Sequence, residues 1–396
     1  MIKLESVEHN KMYQFDKKIQ RRGTNCVKWD YPFIEEDTIP MWIADMDFQV
    51  APSITENLIK AASQEAFGYK FLSEDYYEAV SDWMQRKHGY KVEREEICFV
   101  PNVVVGLSLA VQTVCAPGDE IIVQTPVYGP FYNVVRDNNC ILKESPLKND
   151  NGYYTMDLEN FKRQITPRTK AVLICNPHNP SGRVWSGDEL EKLAEICIRY
   201  NLYIISDDIH CELIAKGYKH TFISSLSEKV RKLCIVCTSP SKAFNLASIQ
   251  AANCFIADPL IRERFQEKAE NLHVADCNAF AEAAVRGAYA EKASEKWLDE
   301  LNEYIDGNTE YFVNTIHENF PDLTVCRPEG TYLVWVDFRK TGIPQEKLRE
   351  YMLRECHIAV NDGTFFGDEG KGFLRFNLAC PRDRIEKALE NMRGKF

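Results

Sequence analysis

The stretch "TSPSKAFNLASIQ" (residues 238–250) closes the apolar run "KLCIVCTS" (232–239), where small and turn-forming residues lead into a lysine, Lys242. A lone lysine is ordinarily a solvated surface charge. If the run before it is a buried strand, however, Lys242 stands just past a carboxyl end, which is where open α/β sheets hold their ligands. The rest of the chain has to say whether such a sheet exists.

Four other short runs rich in β-branched residues read as strands: "EIIVQTP" (120–126), "AVLICNP" (171–177), "LYIISDD" (202–208) and "AANCFIA" (251–257). Helical patterns lie between them, such as "SGDELEKLAEICIRYN", in which Leu190, Leu193, Ala194 and Cys197 share one face. Strands separated by helices predict an α/β fold with a mainly parallel sheet covered on both sides. After residue 286 the texture changes to a long charged helix, a strand in "GTYLVWVDF" (330–338) and a closing helix in "RDRIEKALENMRG". This predicts a large domain over residues 46–285 and a smaller α+β domain built from 1–45 and 286–396.

The chain has 396 residues, 45% of them hydrophobic, enough for a large core and more than one domain. Its net charge of -11 and the lack of a long basic stretch exclude nucleic acid as an expected partner. The opening "MIKLESVEHNKMYQFDKK" shows no apolar run of the secretory kind, and no later run has the length of a membrane span. Fourteen cysteines sit in apolar settings such as "AVLIC" and "AANCF", the usage of small hydrophobes in a reducing compartment. The expectation is a cytoplasmic protein with no membrane partner. Cys234 and Cys237 form a C-x-x-C, but on a strand they face opposite sides of the sheet.

Just past the strand ends stand Tyr128, Asn179, Asp207, His210, Ser239, Ser241 and Lys242. An aromatic ring, an amide, a carboxylate, hydroxyls and an amine are thus expected on one rim. Asp207, Asp208 and His210 point in alternating directions and do not make a metal-ligand set, so no metal is expected. Neither a G-x-G-x-x-G nor a Walker loop is present, which disfavours nucleotide cofactors.

Pyridoxal 5'-phosphate is a cofactor that would use the whole rim. Lys242 would form a Schiff base with its aldehyde, Asp207 would pair with the pyridine nitrogen, Tyr128 would stack on the ring and Asn179 would donate to the ring oxygen. Ser239 would hold the phosphate together with the Val103 and Val104 amides, at the start of the helix expected in "PNVVVGLSLAV".

The motifs "NPHNPSG" (176–182), "SDDIH" (206–210), "SPSK" (239–242) and "FLRFNLACP" (373–381) stand in the order and spacing of a known family. The chain resembles the fold type I pyridoxal phosphate enzymes, the aspartate aminotransferase superfamily. Within it, "GTNCVKWD" (23–30), "PMWIADMDF" (40–48) and "FGY" (67–69) are similar to the MalY/PatB branch of cystathionine β-lyases. The resemblance implies that Lys242 is the Schiff-base lysine and that Arg375 takes the substrate carboxylate. It further implies a homodimer in which Tyr69 reaches the phosphate of the neighbouring subunit, with His210 against the cofactor; Trp42, Asp45 and Asp47 in "MWIADMDF" are candidates for the substrate pocket, or for packing and capping a turn. Three departures from the ordinary aminotransferase pattern are His210 where a tyrosine is usual, Gln250 where an arginine is usual and Asn102 where a glycine is common. The function implied is β-elimination from cystathionine or a related cysteine thioether, giving a thiol, pyruvate and ammonia. The rival readings are an aminotransferase, and a MalY-like protein with an added regulatory partner.

Overall fold

Thr169–Cys175, Tyr203–Asp207 and Cys234–Thr238 lie side by side and parallel, with Glu120–Val123 next in line. Nearly every residue in these strands is buried, so the runs are continuously apolar because both sheet faces are covered. A computed structural model of the protein describes residues 13–396; residues 1–12, part of the stretch expected to complete the smaller domain, lie outside the described residues.

The sheet has seven strands, in the order Ile97–Val100, Ala252–Phe255, Cys234–Thr238, Tyr203–Asp207, Thr169–Cys175, Glu120–Val123 and Ile141–Glu144. Ala252–Phe255 alone runs antiparallel to its neighbours. The chain between Thr238 and Ala252 contains Lys242 and only one short 3₁₀ turn, Ala247–Ile249. It forms no crossover helix, so the strand that follows returns in the opposite direction.

Alternate residues of the central strands feed two cores. Val172, Ile174, Ile204 and Val236 pack on one side with Trp185, Leu190, Leu193 and Cys197. Leu173, Ile205 and Ile235 pack on the other with Leu107 and Val111 of the helix Val103–Val114. Cys234 belongs to the first core and Cys237 to the second, as strand alternation requires. All fourteen cysteines are free.

A second, antiparallel sheet joins Thr324–Cys326, Leu333–Asp337, Phe373–Asn377 and Asn361–Asp362 in that order. Val334, Val336, Leu374 and Phe376 form a third core with Met41, Phe312 and Ile316. Ile39–Pro40 pairs in parallel with Ile358–Ala359, which fastens an early segment to this late sheet region. The helix Lys292–Asn319 contributes Trp297 and Leu301 to the first core and Phe312 and Ile316 to the third, so it ties the two together.

Two local features aim residues at the strand ends. In "NPHNPSG", Gly182 has φ +73°, and a Cβ there would strike Pro328, so only glycine turns the chain back beside Glu329 and Gly330. The helix Val103–Val114 starts at Asn102, whose side chain accepts from the Val105 amide at 3.0 Å. Among the described residues no helix is long and apolar enough to cross a membrane.

Candidate active site

Strand direction places the carboxyl ends of the parallel strands on one rim. A cavity of about 470 Å³ opens there, a size that suits a small cofactor with its substrate. Its walls include Lys242, Asp207, Tyr128, Asn179, His210 and Arg375, so six of the residues expected to act together do share one space. Trp42, Ser239, Val103 and Val104 also line it.

Lys242 donates from Nζ to the Ala44 carbonyl at 2.8 Å. Desolvation, with help from the Arg375 charge, lowers its pKa to about 8, while Asp45 and Asp207 act in the other direction. A sizeable fraction of the amine is therefore neutral near physiological pH and able to act as a nucleophile or base. Asp207 ends the strand Tyr203–Asp207 and is buried; its Oδ1 accepts from the Ile209 amide at 3.2 Å. Burial, more than the adjacent Asp208, pushes its pKa up to about 7. A cationic ring nitrogen beside it would relieve that desolvation and hold the carboxylate ionised.

Arg375 lies on the strand Phe373–Asn377, is 2% exposed, and sits over the Phe366 ring at 5.0 Å. Its Nη1 donates to Asn179 Oδ1 at 3.1 Å and its Nη2 to the Trp42 carbonyl at 2.9 Å, while Nε has no partner. Among the described residues no carboxylate neutralises it, and burial brings its pKa down to about 10, so it remains cationic at neutral pH. A buried guanidinium facing a cavity without a counter-ion is a receptor for an anion. Asn179 accepts from Arg375 through its oxygen, which leaves its amide nitrogen to donate. His210 is buried with Nδ1 unpartnered, and its pKa lies well below the usual imidazole value because of burial, then Lys242 and Arg375. It is neutral.

The geometry sets Asp45 apart from the expected pocket and shows what surrounds Ser239 and Tyr69. Asp45 does not line the cavity: Arg21 grips both its oxygens, at 3.0 and 2.7 Å, and Lys28 lies 3.5 Å away. Asp47 is held by Arg21, Lys28 and Arg384 at 2.9, 3.0 and 2.7 Å. The two carboxylates anchor the segment that carries Trp42 and Ala44, and neither is placed to meet a substrate. Ser239 spends its only hydroxyl proton on the Ala251 carbonyl at 2.7 Å and accepts from the Ser241 amide at 3.0 Å. It therefore shapes the lysine turn, and it would donate to a phosphate only by rotating its hydroxyl away from Ala251. Ser241 and Gln250 line the cavity beside it. Tyr69 is fully exposed at 105% and does not line this chain's cavity.

Ala44, Asn361 and Phe365 also line the cavity; they lie in the segments 42–48 and 361–371, from which the sequence singled out none of the three. Ala44 acts through a backbone carbonyl, which no residue type announces. Phe365 is carried on a short 3₁₀ turn, Gly363–Phe366. A Cβ on Gly363 or Gly370 would collide with the other's carbonyl oxygen, so the two glycines let the loop close tightly beside Tyr128. His88, Cys211 and Glu212 bring ligand-type atoms within 4.8 Å of one another outside this cavity. Trp83 and Tyr289 donate to the Glu212 carboxylate, at 3.1 and 3.4 Å, which makes this a hydrogen-bonded part of the core.

A family model for class I and II aminotransferases matches residues 36–392. The chain belongs to that family. Among its relatives, the cystathionine beta-lyase PatB of Bacillus subtilis is 38% identical over 96% of this chain and 99% of its own. Cystalysin from Treponema denticola, whose crystal structure contains pyridoxal 5'-phosphate, superposes with a TM-score of 0.93 at 34% identity, covering 96% of this chain and 98% of its own. The pyridoxal phosphate-bound C-S lyase of Staphylococcus hominis gives a TM-score of 0.89 at 30% identity, covering 96% and 97%. The fold is the α/β type I fold of pyridoxal phosphate enzymes.

The family cofactor fits the residues present on three observations of this chain. Lys242 offers a largely desolvated amine, Asp207 a buried carboxylate whose pKa burial raises, and the helix Val103–Val114 its first amides at the cavity edge. Asn102 occupies the Val105 amide and leaves those of Val103 and Val104 for a phosphate.

Proposed function

We propose that the protein is a pyridoxal phosphate-dependent carbon–sulfur β-lyase that cleaves cystathionine or a related cysteine thioether to a thiol, pyruvate and ammonia. The observation that carries this reading is full-length likeness to a cystathionine β-lyase combined with an intact rim of Lys242, Asp207, Asn179 and Arg375 in one cavity. The cofactor, when bound, supplies an electron sink for the pair left at Cα on deprotonation and an aldehyde carbon for amine exchange.

The chain's own residues supply the rest. Arg375 binds the substrate α-carboxylate and so fixes which face of Cα meets the lysine. The neutral Lys242 amine, held against the Ala44 carbonyl at the cavity wall, removes the Cα proton. Asp207 would hold a proton on the ring nitrogen, and Tyr128 and Asn179 would hold the ring. With the Cα proton gone, the Cβ–S bond breaks and sulfur leaves as thiolate; protonated, it is the released thiol. Hydrolysis of the remaining three-carbon fragment yields pyruvate and ammonia.

Lyase and aminotransferase share every step up to proton removal, and they separate on stoichiometry. With L-cystathionine or L-cystine and no added keto acid, sustained release of pyruvate and ammonia in equal amounts is expected. Turnover that halts after one equivalent and restarts only with a keto acid would remove the lyase reading and leave the aminotransferase.

The fold's functional unit is a homodimer, and we take Tyr69 to cross into the partner's site. Tyr69 and Phe71 are 105% and 86% exposed on one segment, which suits a surface covered by a second copy. Complementation tests this. Mixing inactive Tyr69→Ala and Lys242→Ala subunits should restore up to about a quarter of wild-type activity, because half the dimers are hybrids with one undamaged site. No recovery on mixing, with hybrids verified, would place Tyr69 outside the shared site.

A further inference from the structure

We propose that Tyr332 is a positioning residue for Lys242: its hydroxyl fixes the Ala44 carbonyl to which the lysine amine donates. The inference rests on the reading of Lys242 as the cofactor-linked base. Tyr332 Oη donates to the Ala44 oxygen at 3.0 Å, and Lys242 Nζ donates to the same oxygen at 2.8 Å. One carbonyl thus serves two donors, one from the lysine turn and one from the second sheet.

Each partner in this relay is held from elsewhere. Tyr332 is fully buried, and its own carbonyl accepts from the Leu378 amide at 2.9 Å. It directly precedes the strand Leu333–Asp337, which pairs with the strand carrying Arg375. Around Ala44, Asn377 Nδ2 donates to the carbonyls of both Ile43 and Asp45 at 2.6 Å, and Asn245 clasps Met46 through its amide and carbonyl. The Ala44 oxygen therefore has little freedom to swing. Tyr332 meets the edge of His210, with ring centroids 5.9 Å apart, so its ring packs against a residue of the cavity wall.

The hydroxyl does something the ring alone does not. A carbonyl that already accepts an O–H is a weaker acceptor for the lysine, and a weaker hydrogen bond to the charged form favours the neutral amine. Removing the hydroxyl leaves the oxygen to Lys242 alone, which stabilises the ammonium and loosens the angle at which the amine is presented. The charges that act on the amine besides this bond are those of Arg375, Asp45 and Asp207, with His210 and Tyr128 in the same cavity wall; Tyr332→Phe replaces none of them, although Tyr332 also bears on Arg375.

The test uses wild type and Tyr332→Phe, each as apoprotein and as holoenzyme. Trace acetylation of the apoprotein across pH, with the Lys242 peptide quantified by mass spectrometry, reads the amine's titration directly. Wild type is expected to half-titrate near pH 8. The variant is expected to titrate at least about half a unit higher, with kcat of the holoenzyme down about 5- to 20-fold and KM within about twofold. An unshifted Lys242 titration overturns the proposal whether or not kcat falls, since a fall alone would report general loosening of the core. A wild-type holoenzyme whose borohydride adduct maps to another lysine would instead break the reading of Lys242 itself, so the two failures are distinguishable.

Discussion

Lys242→Ala should reduce kcat by on the order of 10³-fold or more while the protein stays folded. A general base alone contributes about 10²- to 10⁴-fold, and on the proposed reading Lys242 is also the covalent seat of the cofactor. Structural damage should be small, because the side chain makes one hydrogen bond, to Ala44, and truncation also removes a costly desolvated amine. The link itself can be mapped. Borohydride treatment of the yellow holoenzyme should abolish the visible band and leave a pyridoxyl group on Lys242. The rate at which the apoprotein captures the cofactor should climb as pH rises through about 8, since the folded pKa is depressed from 10.5 and the neutral amine appears above it. Near-normal turnover by the alanine variant, or an adduct on a different lysine, would end this assignment.

Arg375→Ala should lower kcat/KM by about 30- to 1000-fold, equivalent to roughly 2–4 kcal/mol for the loss of two charge-assisted hydrogen bonds to a carboxylate. The guanidinium is buried without a counter-ion, so its charge is poised for a ligand, whereas a surface arginine would be worth little. Arg375→Lys should recover only a small part, because an ammonium cannot hold the Trp42 carbonyl, Asn179 and the substrate together as the planar fork does. Cofactor absorbance and thermal unfolding of both variants separate lost binding from a disturbed site. An alanine variant with kcat/KM near wild type would remove Arg375 from the substrate pocket.

Much of the architecture was legible in local sequence. The central strands were readable because burial on both faces makes them continuously apolar, and the helix Gly187–Tyr200 because Leu190, Leu193, Ala194 and Cys197 recur at helical spacing and are buried. Two outer strands, Ile97–Val100 and Ile141–Glu144, were not separately resolved in the sequence. The second is short and largely exposed, so its residues carry little hydrophobic signal. The antiparallel return of Ala252–Phe255 was also hidden, since apolar composition does not encode strand direction.

At the site, the sequence alone determined which side chains could do chemistry and that Lys242, Asp207, Asn179 and Tyr128 follow strand ends. That much is local, because a strand's carboxyl end is set by where its apolar run stops. Only the tertiary structure decided how charges pair across long separations. Asp45 looked like a pocket residue but is neutralised by Arg21 and Lys28, while Arg375, far along the chain, meets Asn179 and remains without a carboxylate. The use of the Ala44 carbonyl by Lys242 and Tyr332 was likewise invisible beforehand. Every residue has a carbonyl, and which one faces a catalytic amine depends on the path of the folded chain.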